Sequence, residues 1–529
     1  MMKRIIFLIA PIFLIPSCVE YRPGPVNLPQ SSAWKMSHHE EGIACPEEMS
    51  VHDAAVTQWW QVFRDEDLSV LEKQALFNNF SIQSAVARLE AAEALYLREN
   101  ASRFPHIDFT ASAQRQRLPR DLGGIGGLPQ QTTSNSNASS STTTTTTSPV
   151  TGLPVTTTTR SKTKTKSTTQ TLQFPEHVTQ LQLLPQLTYE ADFWGKYRQL
   201  AESAFEHAAS IAEDLNTALL LLSAEVASKY FELRALDAEI DVLEKTTSAK
   251  RELSIITQVQ FEGGLDTVFP PLQQEIELAQ IAQNLEETKR KRVVAENALA
   301  ILLGTSPSSF SFQKKSFIAS LPLIPTNLPA EILARRPDIR QKEHLLEEQR
   351  LKVGVAKTAY FPDITLGGGY GFQSDHASSL FKWKNHIWNL AANLITPIFD
   401  AGKITATVHV EKARYKEIVA QFCDTVINAF GEVENALANV QSTQQQIQYV
   451  NARVVFSKEI YAIAMMNYDT GLIDFTHVID AQLQELSNER EQVLMTKDQL
   501  FATILLIKSI GGSWNYDQNQ NYSSVHTSH

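Results

Sequence analysis

The chain has 529 residues, of which 43% are hydrophobic and 20% charged, and its formal net charge is -11 at pH 7. These values are typical of folded protein, and the length allows a large core or several domains. Every apolar run is shorter than the roughly 18 residues of a transmembrane helix, which argues against a helical multi-pass membrane protein. The acidic balance without a basic patch argues against a nucleic-acid partner. The 3 cysteines show no metal-ligand spacing, so neither a disulfide scaffold nor a zinc module is expected.

The N-terminus predicts an exported protein with a lipid anchor. Two basic residues, Lys3 and Arg4, precede a short apolar run, as in a bacterial signal peptide. The run ends in Ile-Pro-Ser-Cys at Cys18, which resembles the lipobox of bacterial lipoproteins, whose cysteine receives a diacylglycerol group and palmitate. An ordinary signal peptide with an incidental Cys18 is the alternative.

Three short motifs recur at a constant spacing of 207 residues, which predicts an internal duplication. They are Gly195-Lys196 and Gly402-Lys403, Gly264-Leu265 and Gly471-Leu472, and Leu303-Gly304 and Ile510-Gly511. A fourth pair, Phe104-Pro105 and Phe361-Pro362, is 257 residues apart, so the first half contains about 50 additional residues. We attribute them to the Ser/Thr-rich tract at about residues 130–171, which we interpret as an inserted loop.

Each half is expected to begin with two amphipathic strands. Apolar and polar residues alternate after Pro105 and before Gly195, and again after Pro362 and around Trp388. Segments of about ten residues with one apolar face are typical of transmembrane β-barrel strands. A soluble sandwich hairpin would show the same alternation, so the strands alone do not decide between the two structures.

Long helices follow each strand pair. No proline occurs between Gly195 and Gly264, and a helix of that length spans roughly 100 Å at 1.5 Å per residue. Apolar residues from Leu215 to Leu243 repeat about every 3.5 residues, which predicts coiled-coil packing along a neighbouring helix.

The same proline-free length occurs from Gly402 to Gly471 in the second half. Shorter helices are predicted at about residues 67–102 and 338–358. Joined end to end with the helices that finish at Leu303 and Ile510, they would match a long helix in length.

Several sequence blocks resemble those of the TolC-like outer-membrane efflux proteins, specifically the lipid-anchored branch of OprM and NodT type. The similarity extends over more than 400 residues in a constant order. The blocks are WWQVFRD at 59–65, YEADFWGK at 189–196, LPAEILARRPDIR at 328–340, YFP at 360–362, PIFDAGK at 397–403 and DAQ at 480–482.

The resemblance implies an α+β fold: an outer-membrane β-barrel, four strands per chain, continuous with a long coiled-coil-like periplasmic α-helical barrel, with an internal two-fold repeat. Four strands are too few to close a membrane barrel, so oligomers are required, and the resemblance implies a homotrimer. It also implies two protein partners, a periplasmic adaptor (membrane fusion) protein and an inner-membrane pump. A chain with these partners, embedded in outer-membrane lipid, would be the channel component of a tripartite efflux system. It would act as a passive duct for small molecules.

The resemblance places a periplasmic gate around the second helical turn. Tyr468 matches the gating tyrosine of the family and Asp480 matches an aspartate of an acidic ring. His477 stands where a second aspartate is common, and Ile473 where an arginine is common. Asp474 lies beside them, and its alternative role is an exposed carboxylate that interacts favourably with the helix dipole.

Both helical turns resemble the tips that contact the adaptor, namely Gly264, Leu265, Gly471 and Leu472. In the first turn Pro270-Pro271 and Gln273 replace the acidic pattern, so we interpret this turn as structural. Trp59 and Trp60 are expected to be buried rather than to form a ligand platform.

No catalytic motif, metal site or cofactor site is predicted, and the protein is not expected to be an enzyme. The run His38-His39-Glu40-Glu41 could bind a metal ion, but a solvated segment is the better interpretation. Cys423 is interpreted as a small apolar residue, and Cys45 is assigned no role.

The predicted divisions follow the duplication. They are a signal peptide at 1–17, a lipidated N-terminal segment at 18–65, a first repeat at 66–310, a second repeat at 311–514 and a C-terminal tail at 515–529. Three alternatives stay open: a type I protein-secretion duct, a periplasmic adaptor or coiled-coil scaffold, and a surface adhesin lipoprotein. An adaptor would need only one helical hairpin, whereas the sequence contains two.

Overall fold

The computed structural model describes residues 20–24, 58–117, 142–147, 154–159, 177–315, 317 and 330–512. Within these ranges the chain forms seven α-helices and six strands. The helices are α1 (Glu66–Asn78), α2 (Phe80–Ala101), α3 (Lys196–Glu262), α4 (Phe269–Leu302), α5 (Pro337–Thr358), α6 (Lys403–Asp469) and α7 (Phe475–Ser509). The strands are β1 (His106–Arg117), β2 (Thr142–Thr147), β3 (Pro154–Thr159), β4 (His177–Glu190), β5 (Asp363–Ser374) and β6 (His386–Ile395).

The chain divides into a helical unit and a strand unit. All seven helices belong to the helical unit, and all six strands belong to the strand unit. The two longest helices, α3 and α6, have 67 residues each. Each follows a glycine in the left-handed conformation, Gly195 at φ 78° and Gly402 at φ 85°, which side chains with a Cβ rarely adopt.

Helix α3 is the centre of the helical unit. It packs against α1, α2, α4, α5 and α7, whereas α6 packs against α5 and α7. The apolar stripe predicted from the sequence is largely buried on α3, including Val226, Tyr230 and Leu233. The largest core cluster joins this stripe to α6 and α7 through Val433 and Leu506.

Trp59 and Trp60 are buried in the same cluster, as expected. They lie in a short 3-10 helix, Trp59–Phe63, and are only 2% and 1% exposed. The indole N–H of Trp59 donates a hydrogen bond to the Ser223 hydroxyl at 2.9 Å. This contact fixes the segment before α1 against α3.

The prediction of a single helix at about 67–102 is wrong in one respect, because this segment forms two helices with a break at Asn79. The Asn79 backbone is extended (φ -69°, ψ 122°), and its side-chain oxygen accepts hydrogen bonds from the N–H groups of Ser81 and Ile82. Its side-chain amide also donates to the Leu302 carbonyl at the end of α4, at 2.9 Å. The break therefore lies where the last turn of α4 meets the start of α2.

The short helices meet the hairpin helices end to end in both halves, as predicted. A Cβ on Gly304, just after α4, would lie 2.5 Å from the Asn78 carbonyl, so the two helix ends touch. In the second half the Arg336 guanidinium, just before α5, donates to the Ser509 carbonyl at the end of α7 at 2.7 Å.

The strand unit contains a four-stranded antiparallel sheet in the order β1-β4-β5-β6. Strands β2 and β3 form a separate antiparallel pair inside the predicted Ser/Thr-rich loop. The rest of that loop lies outside the described residues. Within the described part, β1 and β6 are the edges of the main sheet and pair on one side only.

The register of the main sheet places the predicted apolar positions that lie within its four strands on one face. Ile107 is opposite Leu187, Leu187 opposite Gly368, and Gly368 opposite Leu390. Trp388 and Leu390 on this face are 71% and 83% exposed in the single chain. The other face is mainly polar and includes Gln182, Gln186, Gln373 and Asn389. The sheet thus has one mainly apolar face, and the part of the chain that the structure describes leaves much of it exposed.

Candidate gate and partner-contact residues at the helical turns

The two turns between the long helices share one backbone design. Gly264 (φ 71°) and Gly471 (φ 75°) both adopt the left-handed conformation after a helix. The next residue in each turn, Leu265 or Leu472, donates its N–H to a carbonyl five residues earlier, at 2.9 and 2.8 Å. This is the hydrogen-bond pattern of a glycine-terminated helix, so the glycines are required by backbone geometry whatever else the turns do.

Leu265 and Leu472 directly follow the left-handed glycines of the two turns. Their side chains are 83% and 74% exposed in the single chain. Exposed leucines beside a rigid turn offer apolar contact area at low entropic cost. The structure thus places the four predicted tip residues at two exposed apolar points, and their role in adaptor contact stays a prediction.

The second turn is built around a charged helix cap. Asp474 precedes α7, and its carboxylate accepts the backbone N–H of His477 at 3.3 Å. The same oxygen lies 3.0 Å from Nδ1 of the His477 ring. Hydrogen bonding from the His477 side chain holds the pKa of the Asp474 carboxyl below its usual range. Asp474 therefore caps α7, a contact more specific than the helix-dipole interaction expected of a helix-start carboxylate, and its part in a gate stays a prediction.

Tyr468 packs against this cap from the end of α6. Its ring centroid lies 5.0 Å from that of Phe475, the first residue of α7. Behind the pair, Ala464, Val478 and Ala481 form a small buried cluster. The aromatic contact ties the two helices together at the turn while the Tyr468 side chain stays partly exposed.

Asp480 is separate from this group. It lies on α7, is exposed, and forms no hydrogen bond or ion pair with the part of the chain described here. Its neighbours Val478, Ile479 and Ala481 are buried in contacts with other helices. The backbone of Asp480 is thus held by a packed helix, while its exposed carboxylate has no ion-pair partner among the described residues. Of the four predicted gate residues, the structure brings Asp474 and His477 into contact and places Tyr468 beside Phe475.

The first turn shares the left-handed glycine but differs in the residue before its second helix, which is helical at Val268 and extended at Asp474. Helix α4 begins without a side-chain cap at Val268, and Pro270 and Pro271 occupy its first turn. Proline suits this position, because the first N–H groups of a helix have no partner within it. Phe269 is exposed, as are Leu272 and Ile276 further along α4. Neither histidine nor carboxylate occurs at the positions that match His477 and Asp480.

Sequence reasoning missed a set of charged residues that are buried along α3. Arg234 pairs with Asp67 at 3.0 Å and Asp237 with Arg292 at 2.6 Å. Further along, Glu239 pairs with Arg490 at 2.6 Å, and Glu213 with Arg340 at 2.8 Å. A signal was present, because these charges adjoin the apolar stripe and would face neighbouring helices. Their partners depend on how the helices pack, which the periodicity alone does not reveal.

A second missed residue is Glu72 on α1. Its side chain is fully buried, and neither carboxylate oxygen has a hydrogen-bond partner within the described part of the chain. Burial raises the pKa of Glu72 to about 9. The signal was its position in the apolar spacing Leu68, Leu71, Ala75, where an aliphatic residue would be expected.

Several predicted features lie outside the described residues. They are the signal peptide with the lipid-attachment residue Cys18, Cys45, the run from His38 to Glu41, and the C-terminal tail. Cys423 is a free, half-buried cysteine on α6. Among the described residues, no helix is both long and apolar enough to span a membrane. In the same residues no cluster of His, Cys, Asp or Glu side chains could hold a metal ion.

Two long helical hairpins, together with a sheet that is apolar on one face, are the elements of a membrane-associated channel or tunnel protein. The chain matches the outer membrane efflux protein family over residues 71–151, 152–305 and 328–512. The match covers most of the chain, and the protein therefore belongs to the outer membrane efflux protein family.

Individual relatives and solved structures agree with this assignment. The solvent efflux pump outer membrane protein SrpC of Pseudomonas putida is 28% identical over 462 residues, which cover 87% of this chain and 88% of SrpC. The outer membrane protein OprJ of Pseudomonas aeruginosa is 27% identical over 465 residues, or 86% of each chain.

The fold is shared with solved outer-membrane channels. The channel OprN aligns with a TM-score of 0.74 at 23% identity, covering 94% of this chain and 100% of OprN. The Campylobacter jejuni channel CmeC aligns with a TM-score of 0.71 at 23% identity, covering 92% of this chain and 96% of CmeC.

Proposed function

We propose that the protein is the outer-membrane channel of a tripartite efflux system, a lipid-anchored homotrimer that extends into the periplasm and conducts small toxic molecules outward. Substrate enters from an inner-membrane pump through a periplasmic adaptor, and no bond is made or broken. Family membership and the apolar face of the sheet, which is exposed among the described residues, carry this proposal. Relatives named for solvent, toluene and antibiotic efflux support small, largely apolar substrates.

The sheet supports a shared barrel. A strand edge exposes unpaired N–H and C=O groups, which lipid does not satisfy. Four strands cannot close on themselves, so β1 of one chain is expected to pair with β6 of the next. Three chains would then supply twelve strands. The apolar face with Trp388 and Leu390 would contact lipid, and the polar face would line the lumen.

The helices support the same threefold assembly. Helix α6 exposes apolar side chains along its length, including Ile427, Tyr449, Phe456 and Ile463. Helix α4 exposes Ile276, Val293 and Ile301. Patches of this kind on rigid helices are typical of subunit interfaces. We infer that α6 of one chain packs against the α2 and α4 side of its neighbour and closes a tunnel.

The turns support a gate and a docking end. We infer that Asp480 from three chains forms an acidic ring, with Tyr468, Asp474 and His477 stabilising the helices around it. Leu265 and Leu472 are inferred to contact the adaptor. The matching lengths of α3 and α6, and the left-handed glycines 207 residues apart, support the origin of the two halves by duplication.

Drug accumulation in cells tests the transport role. Deletion of the gene should raise accumulation of a fluorescent efflux dye several-fold, and expression of the full chain should restore the low level. Export of a type I secretion substrate should stay unchanged. Unchanged dye accumulation together with loss of the secreted protein would instead identify a protein-secretion duct.

Assembly can be tested separately on α6. Phe456→Asp places a charge in the proposed interface and should convert trimers into monomers in detergent, measured by size-exclusion chromatography with light scattering. Gln448→Glu adds the same charge at an exposed polar position of the same helix and should leave the trimer intact. Trimers that persist in Phe456→Asp would refute the proposed use of this face.

A further inference from the structure

A pocket with unneutralised positive charge lies in the helical unit between the end of α5 and the start of α6. It has a volume of about 450 Å³. Lys357, Tyr360 and Phe361 line it from α5 and the residues just beyond, and His409 and Lys412 line it from α6. None of these residues belongs to the gate, the tips or the subunit contacts proposed above.

The two lysines of the pocket lack ion-pair partners in the part of the chain that the structure describes, whereas neighbouring charges have them. Lys352 pairs with Glu348, and Arg414 pairs with Glu411 at 2.9 Å. Lys357 and Lys412 form no ion pair with any residue that the structure describes. Burial lowers the pKa of Lys357, and the nearby charge of Lys412 lowers it further. A bound anion would relieve this repulsion.

The remaining lining suits an amphipathic anion better than a small inorganic one. Val408 on the pocket wall is buried, and the Phe361 ring stacks on Trp194 with centroids 4.8 Å apart. The Tyr360 hydroxyl donates a hydrogen bond to the Thr405 hydroxyl at 2.9 Å. Apolar walls beside two amines match a phosphate that is attached to a hydrocarbon group.

The N-terminal segment lies against this pocket. The Tyr21 ring lies 4.7 Å from the Lys357 ammonium and 5.5 Å from the Tyr415 ring. Glu20 pairs with Arg350 on α5 at 3.2 Å. Tyr21 is three residues after Cys18, so the chain between them can reach at most roughly 11 Å. A diacylglycerol group on Cys18 would therefore hold the pocket close to the membrane surface.

We propose that this pocket binds the phosphate of an anionic glycerophospholipid. Lys357 and Lys412 contact the phosphate oxygens, and Phe361 and Val408 contact the glycerol and the first methylene groups. The location at the membrane surface rests on the lipid anchor of the proposed function, whereas the recognition of phosphate rests on the pocket itself. Inorganic phosphate shares the charge but leaves the apolar walls uncovered.

Native mass spectrometry of the full chain in detergent tests the proposal with phosphatidylglycerol as the probe. The measured quantity is the amount of noncovalent lipid retained per chain. The double variant Lys357→Gln/Lys412→Gln should lose retention about tenfold or more, since each lysine near an anionic lipid surface contributes on the order of 1 kcal/mol. Lys357→Arg/Lys412→Arg should retain the lipid, which separates lost charge from lost structure.

The matched control is Lys73→Gln/Lys291→Gln, which removes the same charge from exposed positions of α1 and α4. It should retain as much lipid as the wild type. Equal retention in the two glutamine variants would overturn the proposal. Displacement of the lipid by inorganic phosphate at equal concentration would assign the site to the free ion and would also overturn it.

The anchor is tested in the same spectra. Cys18→Ser should remove the covalent lipid mass and leave noncovalent phosphatidylglycerol bound, because the pocket residues are unchanged. A wild type without covalent lipid would refute the anchor alone. Noncovalent binding that disappears in Cys18→Ser, while trimers persist, would show that the pocket does not recognise phospholipid independently and would overturn the proposal.

Discussion

The two 67-residue helices, α3 and α6, have the same length, and each follows a left-handed glycine. They differ in that α3 buries charged side chains and α6 does not. Helix α3 buries four charged residues, and each pairs with a different helix. Glu213 pairs with α5, Arg234 with α1, Asp237 with α4 and Glu239 with α7. Helices α6 and α7, every residue of which is described, bury no charged side chain.

This difference separates an interior helix from an edge helix. Helix α3 has neighbours on nearly every side, and its ion pairs can specify which neighbour packs where. Helix α6 has neighbours within the chain on one side and exposes apolar residues on the other. Positions 207 residues apart show this difference in buried charge directly. Asp237 and Arg292 of the first half correspond to the neutral Gln444 and Gln499 of the second.

At three matched positions of the two turns, the charged residues lie in the second half and not in the first. The second turn, between α6 and α7, carries Asp474, His477 and Asp480. Thr267, Pro270 and Gln273 stand at the same positions of the first turn. Buried charge thus lies on the long helix of the first hairpin, whereas the second hairpin carries charge at three turn positions where the first has neutral residues. We expect the first half to depend on charge for stability and the second half to use it for conduction.

The largest effect is expected at Glu72, the buried acid that has no ion-pair partner beside α3. Its pKa of about 9 exceeds its ordinary value of 4.5, so the folded state holds a proton that the unfolded state releases. The contribution of Glu72 to the unfolding free energy is therefore complete below pH 4.5 and is lost as the pH rises towards 9. Glu72→Leu should raise the unfolding free energy by about 4 kcal/mol at pH 8 and by little at pH 4.5.

Chemical denaturation of the purified protein at both pH values measures this change. Glu90→Leu, at an exposed position of α2, serves as the control and should leave the pH dependence intact. An unchanged pH slope in Glu72→Leu would mean that the Glu72 carboxylate is neutralised by a group outside the described residues.

The comparison also shows where sequence reasoning succeeds. The ends of α3 and α6 were predicted within about two residues, because glycines at 195, 264, 402 and 471 adopt backbone conformations that other residues avoid. The face of each strand followed from simple alternation. Both signals are local, so they can be read without knowing the neighbours of each element.

Sequence reasoning fails where the outcome depends on packing. The break at Asn79 was missed because the apolar spacing continues from Ala75 to Ile82, although an asparagine is a common N-cap residue. The ion pairs of α3 were missed because their partners lie on four different helices. The cap formed by Asp474 was not predicted, because the sequence indicated only a carboxylate near a helix start that the helix dipole would stabilise.

The next largest effect is expected from breaking a buried pair on α3. Asp237 is 1% exposed, and Asp237→Ala leaves the Arg292 guanidinium with Glu296 as its remaining ion-pair partner. We expect a loss of about 3 kcal/mol in unfolding free energy. The matched change, Gln444→Ala, should cost less than about 1 kcal/mol. Equal losses in thermal unfolding would show that the contrast between the two helices has no energetic consequence.

Ion selectivity tests the opposite contrast at the turns. Asp480→Asn removes one charge from each chain, and three from a trimer, and should lower cation preference in single-channel recordings about fivefold, or ~1 kcal/mol. Gln273→Asn alters the matched position of the first turn and should leave selectivity unchanged. Unchanged selectivity in Asp480→Asn would place its carboxylate away from the conducting path.

The smallest effect is expected at the cap of α7. Asp474→Ala removes the acceptor for the His477 N–H, and loss of an N-cap typically costs about 1 kcal/mol. Because hydrogen bonding from His477 lowers the pKa of Asp474, its contribution should be present above the ordinary pKa of 3.8 and lost as the pH falls through the lowered value.

Thr267→Ala is the matched control, since α4 begins without a side-chain cap. Hydrogen exchange of the first turn of α7 should therefore accelerate in Asp474→Ala, while the first turn of α4 exchanges at its original rate in Thr267→Ala. Equal acceleration in the two variants would mean that the two turns differ in sequence without differing in how their helices are held.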